Sequence, residues 1–464
     1  MVSALKNIWS IPDLRRRVLF TLGMLAVYRV GGHIPTPGVD SAALVRMFEQ
    51  QAGGILDFVD MFSGGYFSQL TIFALGIMPY ITASIILQLL TVIWPYLEKL
   101  SKEGDAGRKK ITQYTRYGTV ALSLVQSFGI ALWLESSSAP GAEQIVSHPG
   151  WGFRLMTMLT LTTGTAFIMW LGEQISERGI GNGISLIIYA GIVVSLPNAV
   201  AETITDVLNG GLSPISVLAL LAMMIVVVGA IVFVERAQRK IPIQYARRVV
   251  GRRVYGGAST YLPLRVNTGG VIPVIFASSM LAIPQTIGTF GALQEAGWVQ
   301  NILRQLQYSA PLYNLSYFGL IIFFCFFYVS IIFNPLDQAD NMKKYGGFIP
   351  GIRPGKKTAE YIDRILTRLT FGGAVYLGLV SLLPIVLVSG LQVQTLPWGV
   401  GASLERFLPD LLTQGLNVKF LFGGTALLIV VGVAMDTVQQ IESQLIMRHY
   451  EGFLKGTRIR GRRG

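Results

Sequence analysis

Ile215–Val234 reads ISVLALLAMMIVVVGAIVFV, twenty residues without a charged side chain. At about 1.5 Å of rise per residue, such a run makes a helix roughly 30 Å long, the hydrocarbon thickness of a bilayer. Nine further apolar segments accompany it, at 18–34, 72–94, 117–134, 155–171, 184–200, 271–287, 315–333, 371–388 and 420–435. Several are short or interrupted by Pro79, Gly181–Gly183, Pro273 or Pro384. Breaks at membrane depth are tolerated only where neighbouring helices or water satisfy the freed backbone groups. They point to an aqueous or gated interior rather than a passive anchor.

Charge sorts by loop. Of the 38 Lys and Arg, 32 lie at the N-terminus, in the even-numbered loops and in the C-terminal tail, five lie in the odd-numbered loops, and Arg29 sits within a span. With 14 and 11 acids on the respective sides, one face carries +18 and the other −6. Cytoplasmic loops hold the excess of Lys and Arg, so both termini are expected in the cytoplasm. Hydrophobic residues are 52% of the chain and charged residues 14%, against roughly 25% charged in soluble domains. The expected fold is an all-α polytopic membrane protein with ten transmembrane helices. Ten spans divide five and five, and an odd number per half makes the second half insert upside down, as in inverted-repeat transport folds. The boundaries read as 1–210, 211–440 and a basic cytosolic tail at 441–464. Arg15-Arg16-Arg17 before an apolar run resembles a signal peptide, but no small-residue cleavage site follows and the run continues into Gly31–Pro35. It reads as a retained first span.

Three segments between spans stand out. The outer stretch Ile55–Gly65 (ILDFVDMFSGG) is amphipathic, too short and acidic to span, and ends in glycines. The inner loop Glu235–Asn267 carries eight Arg and Lys against one acid, and its alternation around Gly256-Gly257 suggests a β-hairpin. The inner loop Asn334–Thr370 holds Pro350–Gly355 (PGIRPG), where Pro and Gly fix an exposed turned tip. Positive charge concentrated on one face points to anionic lipid, ribosomal RNA or an acidic cytosolic partner.

No catalytic constellation is present: there is no HExxH, Walker A loop, GxSxG elbow or Cys–His pairing, and Cys325 is the only cysteine. Arg178–Ser185 (RGIGNGIS) is glycine-rich, but it follows a span rather than a strand and has no phosphate-binding lysine. It reads as helix-breaking flexibility at a span entrance. The spans hold almost no ionisable residues, whereas ion-coupled carriers keep them as coupling sites. Arg29 lies near the outer end of its span, where it can snorkel. This weighs against the rival reading, an ion-coupled secondary transporter with inverted repeats.

The strings Met61–Gly65 (MFSGG), Phe73–Ile81 (FALGIMPYI), Gly107–Ile111 (GRKKI), Gln113–Gly118 (QYTRYG), Trp170–Ile175 (WLGEQI), Arg178–Ser185, Gly270–Ser278 (GVIPVIFAS), Phe333-Asn334-Pro335 and Gly351–Gly355 (GIRPG) resemble, in order, the SecY family. That family forms the channel of the bacterial Sec translocon. The likeness runs from about Arg15 to the tail and weakens in the outer loops around 136–151 and 391–416. It implies two five-helix halves around a central pore. It also implies a protein-conducting channel that translocates unfolded secretory proteins across the plasma membrane and releases membrane proteins laterally into it. It hydrolyses nothing and needs no cofactor.

By the same resemblance, the pore ring falls on Ile77, Ile81, Ile184, Ile188, Ile275 and Ile429. Residues four apart share a helix face, so two of these pairs can each point at one axis. An aliphatic collar dewets a constriction and blocks ions, yet yields around an extended chain. The plug falls near 55–67 and includes Asp60, Met61, Phe62, Ser63, Gly64 and Gly65. Spans two and seven would line a lateral gate for signal sequences, with Gln88 as a polar gate residue. Docking of the motor ATPase SecA and of the ribosome falls on Arg247, Arg248, Arg252, Arg253 and Arg353. The implied partners also include SecE, SecG, signal sequences and the nascent polypeptide.

Overall fold

A computed structural model describes residues 11–50, 60, 63–136, 145–210, 213–245, 248–250, 253–255, 259–288, 305–306, 310–391 and 424–456. Among the described residues, ten helices overlap the ten expected spans: α1 (Pro12–Gly31), α3 (Met78–Ile93), α5 (Asp105–Ser136), α6 (Trp151–Arg178), α7 (Gly183–Leu208), α8 (Pro214–Arg236), α9 (Ile272–Gly288), α10 (Pro311–Ile332), α12 (Lys356–Ser389) and α13 (Gly424–Gly456). The shorter α2 (Ser41–Gln50), α4 (Pro95–Lys102) and α11 (Pro335–Lys344) lie between them, with strands β1 (Gln238–Tyr245), β2 (Arg248–Val250), β3 (Arg253–Tyr255), β4 (Ser259–Arg265) and β5 (Gly347–Phe348). Among the described residues, seven helices are long and apolar enough to cross a membrane, or eight if the bent α3–α4 pair counts as one. The exceptions have physical reasons. In α1 the apolar run from Val18 is short and bracketed by Arg15–Arg17 and Arg29, while α9 is only 17 residues long.

Caps set the helix starts. Pro214 opens α8, and the Ser213 hydroxyl accepts a hydrogen bond from Ile215 N–H (3.3 Å). Asn334 Oδ1 accepts from Leu336 N–H (3.0 Å) ahead of α11, whose last turn carries Lys343 and Lys344 against the C-terminal dipole. The second span is shorter as a helix than the 72–94 run suggests. Residues 72–77 form turns, α3 begins only at Met78-Pro79, and α4 turns away by 98° after Trp94. The turned backbone is satisfied where Ile72 N–H donates to Ile34 C=O (3.0 Å) and Thr36 N–H to Leu70 C=O (2.9 Å).

The chain forms two compact units. The first comprises Met1–Glu202, Ala282–Leu303 and Val433–Gly464. Its α5 and α6 pack as an antiparallel hairpin held by an ion pair near each end. Arg116 grips Glu173 through Nε (2.9 Å) and Nη2 (2.8 Å), and Arg154 grips Glu135 through Nε (2.8 Å) and Nη2 (2.6 Å). Glu135 also accepts Gly150 N–H (2.9 Å), and Arg154 lies over the Trp151 ring at 5.2 Å. Leu44, Leu70, Leu134, Ile145 and Leu161 form an apolar core within this unit.

The second unit comprises Thr203–Leu281 and Arg304–Gly432. In it β1 pairs antiparallel with β4 from Gln238↔Arg265 to Gln244↔Ser259, and with β5 at Tyr245↔Gly347. The expected hairpin exists, with β2 and β3 paired antiparallel from Arg248↔Tyr255 to Val250↔Arg253. The expected centre, Gly256-Gly257, lies outside the described residues. Ile241 and Ile243, alternating with exposed Lys240, Pro242 and Gln244, bury against Leu264, Met342, Ile349 and Ile362. The two basic loops therefore share one hydrophobic core and make a single module.

Candidate functional site

The glycine-rich run Arg178–Ser185 breaks the chain between α6 and α7, and side chains take up its free backbone donors. Asn182 Oδ1 accepts from Ile184 N–H (3.1 Å) and caps α7, while Ser176 Oγ accepts from Gly183 N–H (2.9 Å). Thr21 Oγ1 accepts from Ile180 N–H (3.0 Å), and Gln440 Oε1 from Gly181 N–H (3.0 Å). Gly181 has φ +89°, a conformation that favours glycine. Donors occupied in this way leave no nest for a phosphate, and the run acts as a pinned helix junction. It fixes where Ile184 and Ile188, one turn apart, begin α7.

Ile77 and Ile81 are likewise one turn apart, with Ile81 N–H donating to Ile77 C=O (3.1 Å) at the start of α3. Ile77, Ile81 and Ile188 are buried and Ile184 is half-buried. In the second unit, Ile275 on α9 and Ile429 on α13 are both buried. Gly432 lets Val271 approach α13 closely one turn beyond Ile429, and the Ser278 and Ser279 hydroxyls donate to Ile275 C=O (2.9 and 2.8 Å). Gln88 on α3 is half-buried, and its Nε2 donates to Ser84 Oγ (3.0 Å).

Of the expected plug, Asp60 and Ser63–Gly65 are described; Met61 and Phe62 lie outside the described residues. Asp60 organises the turn that follows. Its Oδ1 accepts from Phe67 N–H (2.8 Å), Ser68 N–H (2.9 Å) and Ser63 Oγ (3.2 Å), and its carbonyl accepts Gly65 N–H (3.0 Å). Burial pushes the Asp60 carboxyl above the ordinary carboxylate range, and the bonds from Ser68, Phe67 and Ser63 oppose that shift. Tyr28 O–H donates to Ser63 C=O (3.1 Å), and Tyr28 packs on Tyr66 and Phe73. Arg29 does not simply reach for the interface. Its Nη1 donates to Tyr66 O–H (3.1 Å), and its guanidinium lies 5.4 Å from the Tyr66 ring centre.

Gly64 has φ +81°, and a Cβ built on it would stand 2.8 Å from Gly191 Cα. Gly191 follows Ile184 and Ile188 at i+7 and i+3, on the same stripe of α7. The Asp60–Gly65 turn thus rests on the helix face that carries Ile184 and Ile188, roughly 4.5 Å along the axis from Ile188. Sequence reasoning does not single out Gly191, because its role lies in the contact with Gly64.

On the basic module, Arg353 is exposed at the 350–355 tip. The tip is held by Ile352 N–H to Ile349 C=O (3.1 Å) and Thr358 Oγ1 to Arg353 C=O (3.0 Å), with positive φ at Gly351 and Gly355. Arg248 and Arg253 belong to the β2–β3 hairpin, at β2's first and β3's first residue. Arg247 and Arg252 lie outside the described residues.

Comparison with known proteins bears on the whole chain. The SecY family model matches residues 71–438. The protein translocase subunit SecY of Escherichia coli K12 is 48% identical over 453 residues, covering 97% of this chain and 96% of that one. The SecY subunit of Streptomyces scabiei is 49% identical over 463 residues, covering 98% and 100%. Among solved structures, a protein-conducting channel aligns with TM-score 0.65 at 18% identity, covering 93% of each chain. A SecY protein whose plug domain stabilises the closed state of its channel aligns with TM-score 0.63 at 18% identity, covering 95% of this chain and 97% of that one. Sec61 from a canine ribosome–channel complex aligns with TM-score 0.60 at 17% identity, covering 93% of each. These structural likenesses show the ten-helix, two-half fold of such channels. The chain belongs to the SecY family, the subunits that form the protein-conducting channel of the protein translocase.

Proposed function

We propose that this channel works as a gated passage in a bacterial plasma membrane, with both termini cytoplasmic and the 1–210 and 211–440 halves inverted about a central pore. Ile77, Ile81, Ile184, Ile188, Ile275 and Ile429 form its constriction, and the 55–67 segment closes it from outside. A collar of isoleucines excludes ions without any bond that must break before a peptide enters. Signal sequences leave sideways between α3 and α9, past Gln88. SecA and the ribosome dock on the basic module through Arg247, Arg248, Arg252, Arg253 and Arg353, where clustered arginines suit rRNA phosphates. The likeness to Sec61 of a ribosome–channel complex supports a ribosome partner. SecE and SecG complete the assembly. Anionic lipid meets the remaining inner-face charge, and energy comes from SecA, translation or the proton-motive force. No observation favours an ion-coupled carrier.

The observation that carries this reading is the seat of Gly64 on Gly191. That contact supports it, because Gly191 shares a stripe of α7 with Ile184 and Ile188 and lies farther than either from the start of that helix. The test is to replace Ile77, Ile81, Ile184 and Ile188 by Gly or Ser and reconstitute the channel with SecE, SecG and SecA. Raised resting ion conductance with relaxed signal-sequence selection is expected. Channels that stay ion-tight while translocating normally would remove these residues from the constriction.

A further inference from the structure

Between the basic module and α9 the chain has only five residues, Asn267–Val271, and one side chain governs them. Asn267 is 4% exposed and Glu235, at the cytoplasmic end of α8, is 8% exposed. The Asn267 amide donates to Glu235 Oε1 (2.6 Å) and to Gly270 C=O (3.1 Å), so both its hydrogens are used. Immediately before it, Val266 N–H donates to Ala237 C=O (3.1 Å), which extends the β1–β4 ladder to the foot of α8. On the far side, Gly373 of α12 lets the Val266 carbonyl approach to 2.6 Å from where a Cβ would stand. Gly270 has φ +61°, and Val271 then packs on Gly432 as α9 begins. The end of β4, the end of α8 and the turn that leads into α9 are therefore tied through one amide.

We infer that Asn267, clasped by Glu235, is a positioning residue that transmits displacement of the basic module to α9, so that partner docking biases the gate. This rests on the reading above, in which the module docks partners and α9 carries Ile275 and lines the lateral exit. Stiffness is what the clasp supplies. A five-residue link containing Gly269 and Gly270 would absorb a displacement by rotating its own dihedrals, whereas a link with its buried amide saturated moves as one piece. Asparagine suits the position because aspartate would set a second carboxylate against Glu235 and offer no hydrogen to Gly270 C=O.

The experiment uses the whole channel reconstituted with SecE and SecG in proteoliposomes. Three quantities are read: SecA affinity, resting ion conductance, and ATP-driven translocation of a secretory precursor. Asn267→Ala should leave SecA affinity and resting conductance within about twofold of wild type and lower translocation about tenfold, a coupling of ordinary size. Asn267→Asp should lower it further, and Glu235→Gln/Asn267→Asp, in which the amide and the acid trade places, should recover part of the loss. Glu235→Gln alone keeps an acceptor for Asn267 and should stay near wild type, a check on folding. Unchanged translocation in Asn267→Ala overturns the inference. So does a fall in SecA affinity that accounts for the whole loss, because the clasp then only holds the module together. Wild-type channels that bind SecA yet show no stimulated translocation would instead sink the parent reading.

Discussion

Gly64→Ala is the most discriminating perturbation of the proposed plug's seat. The added Cβ would stand 2.8 Å from Gly191 Cα and 3.5 Å from its carbonyl carbon and oxygen. Carbon–carbon contacts settle at about 3.5–4.0 Å, so the segment must retreat by roughly 0.7–1.2 Å. Overpacking of this kind costs about 1–3 kcal/mol. Alanine at φ +81° adds about 1–2 kcal/mol of backbone strain. Both costs vanish once the segment leaves its seat, so they act on the balance between seated and displaced plug rather than on the helices. A total of about 2–5 kcal/mol shifts that balance by more than about tenfold toward the displaced form. Gly65 supplies the control: its φ is +82°, but nothing lies within 4 Å of its Cβ position, so Gly65→Ala carries the strain alone. Single-channel conductance of the reconstituted complex, without SecA or precursor, reads the displaced population. Gly64→Ala should leak at least about tenfold more than wild type and clearly more than Gly65→Ala. Equal leak from the two variants, or none from Gly64→Ala, would refute the seat as a closing contact.

Asp60 gives the seat a pH dependence. Its carboxyl is held above the ordinary range by burial, so its contribution is fully present below the unfolded value near about 3.9 and is lost as pH rises through the raised folded value. Acidifying the outer side should therefore tighten the closed channel. Asp60→Asn, which keeps an oxygen for Phe67 and Ser68, should flatten the pH profile of resting conductance, and an unaltered profile would exclude Asp60 as its source. Ile241→Ala empties part of the core shared by the two basic loops and should destabilise the module by about 2–5 kcal/mol. Hydrogen exchange would then accelerate across 238–265 and 342–362 together; acceleration of one loop alone would show that they do not share stability. Arg353→Ala should cost about 1–2 kcal/mol of SecA affinity, a five- to thirtyfold rise in Kd by titration. An unchanged Kd would take Arg353 out of the docking surface.

The ten apolar runs were legible because a bilayer imposes one length and one polarity on every span, and the Ile215–Val234 run needs no tertiary context to be read. The second span was misjudged in extent. Residues 72–77 are as apolar as a helix but form turns, and Ile72 N–H is taken by Ile34 C=O, a backbone partner that sequence cannot display. The basic hairpin was legible from alternation, but its register, which pairs Val250 with Arg253, was not, since register follows ladder pairing rather than the nearest glycines. The ring and plug positions came from family resemblance, because isoleucines four apart in a span carry no signature of their own. Gly191, Glu235 and Asn267 were missed for one reason. Each matters through a partner 32 or more residues away, and single-residue patterns do not report such pairs.

The two ion pairs that close the α5–α6 hairpin sit 19 residues apart on each helix, from Arg116 to Glu135 and from Arg154 to Glu173. At about 1.5 Å per residue that spacing is roughly 28 Å on both legs. The hairpin is accordingly a ruler with charged end-stops, and it cannot shorten without dragging a paired carboxylate into hydrocarbon. A bilayer much thicker than this must thin around the protein or tilt the hairpin, at a cost of fractions of a kcal/mol per Å. Lipid chain length thereby becomes a mechanical load on the unit that holds Gly64 and Gly191, so the tightness of the resting seal should depend on how well the surrounding membrane fits the ruler.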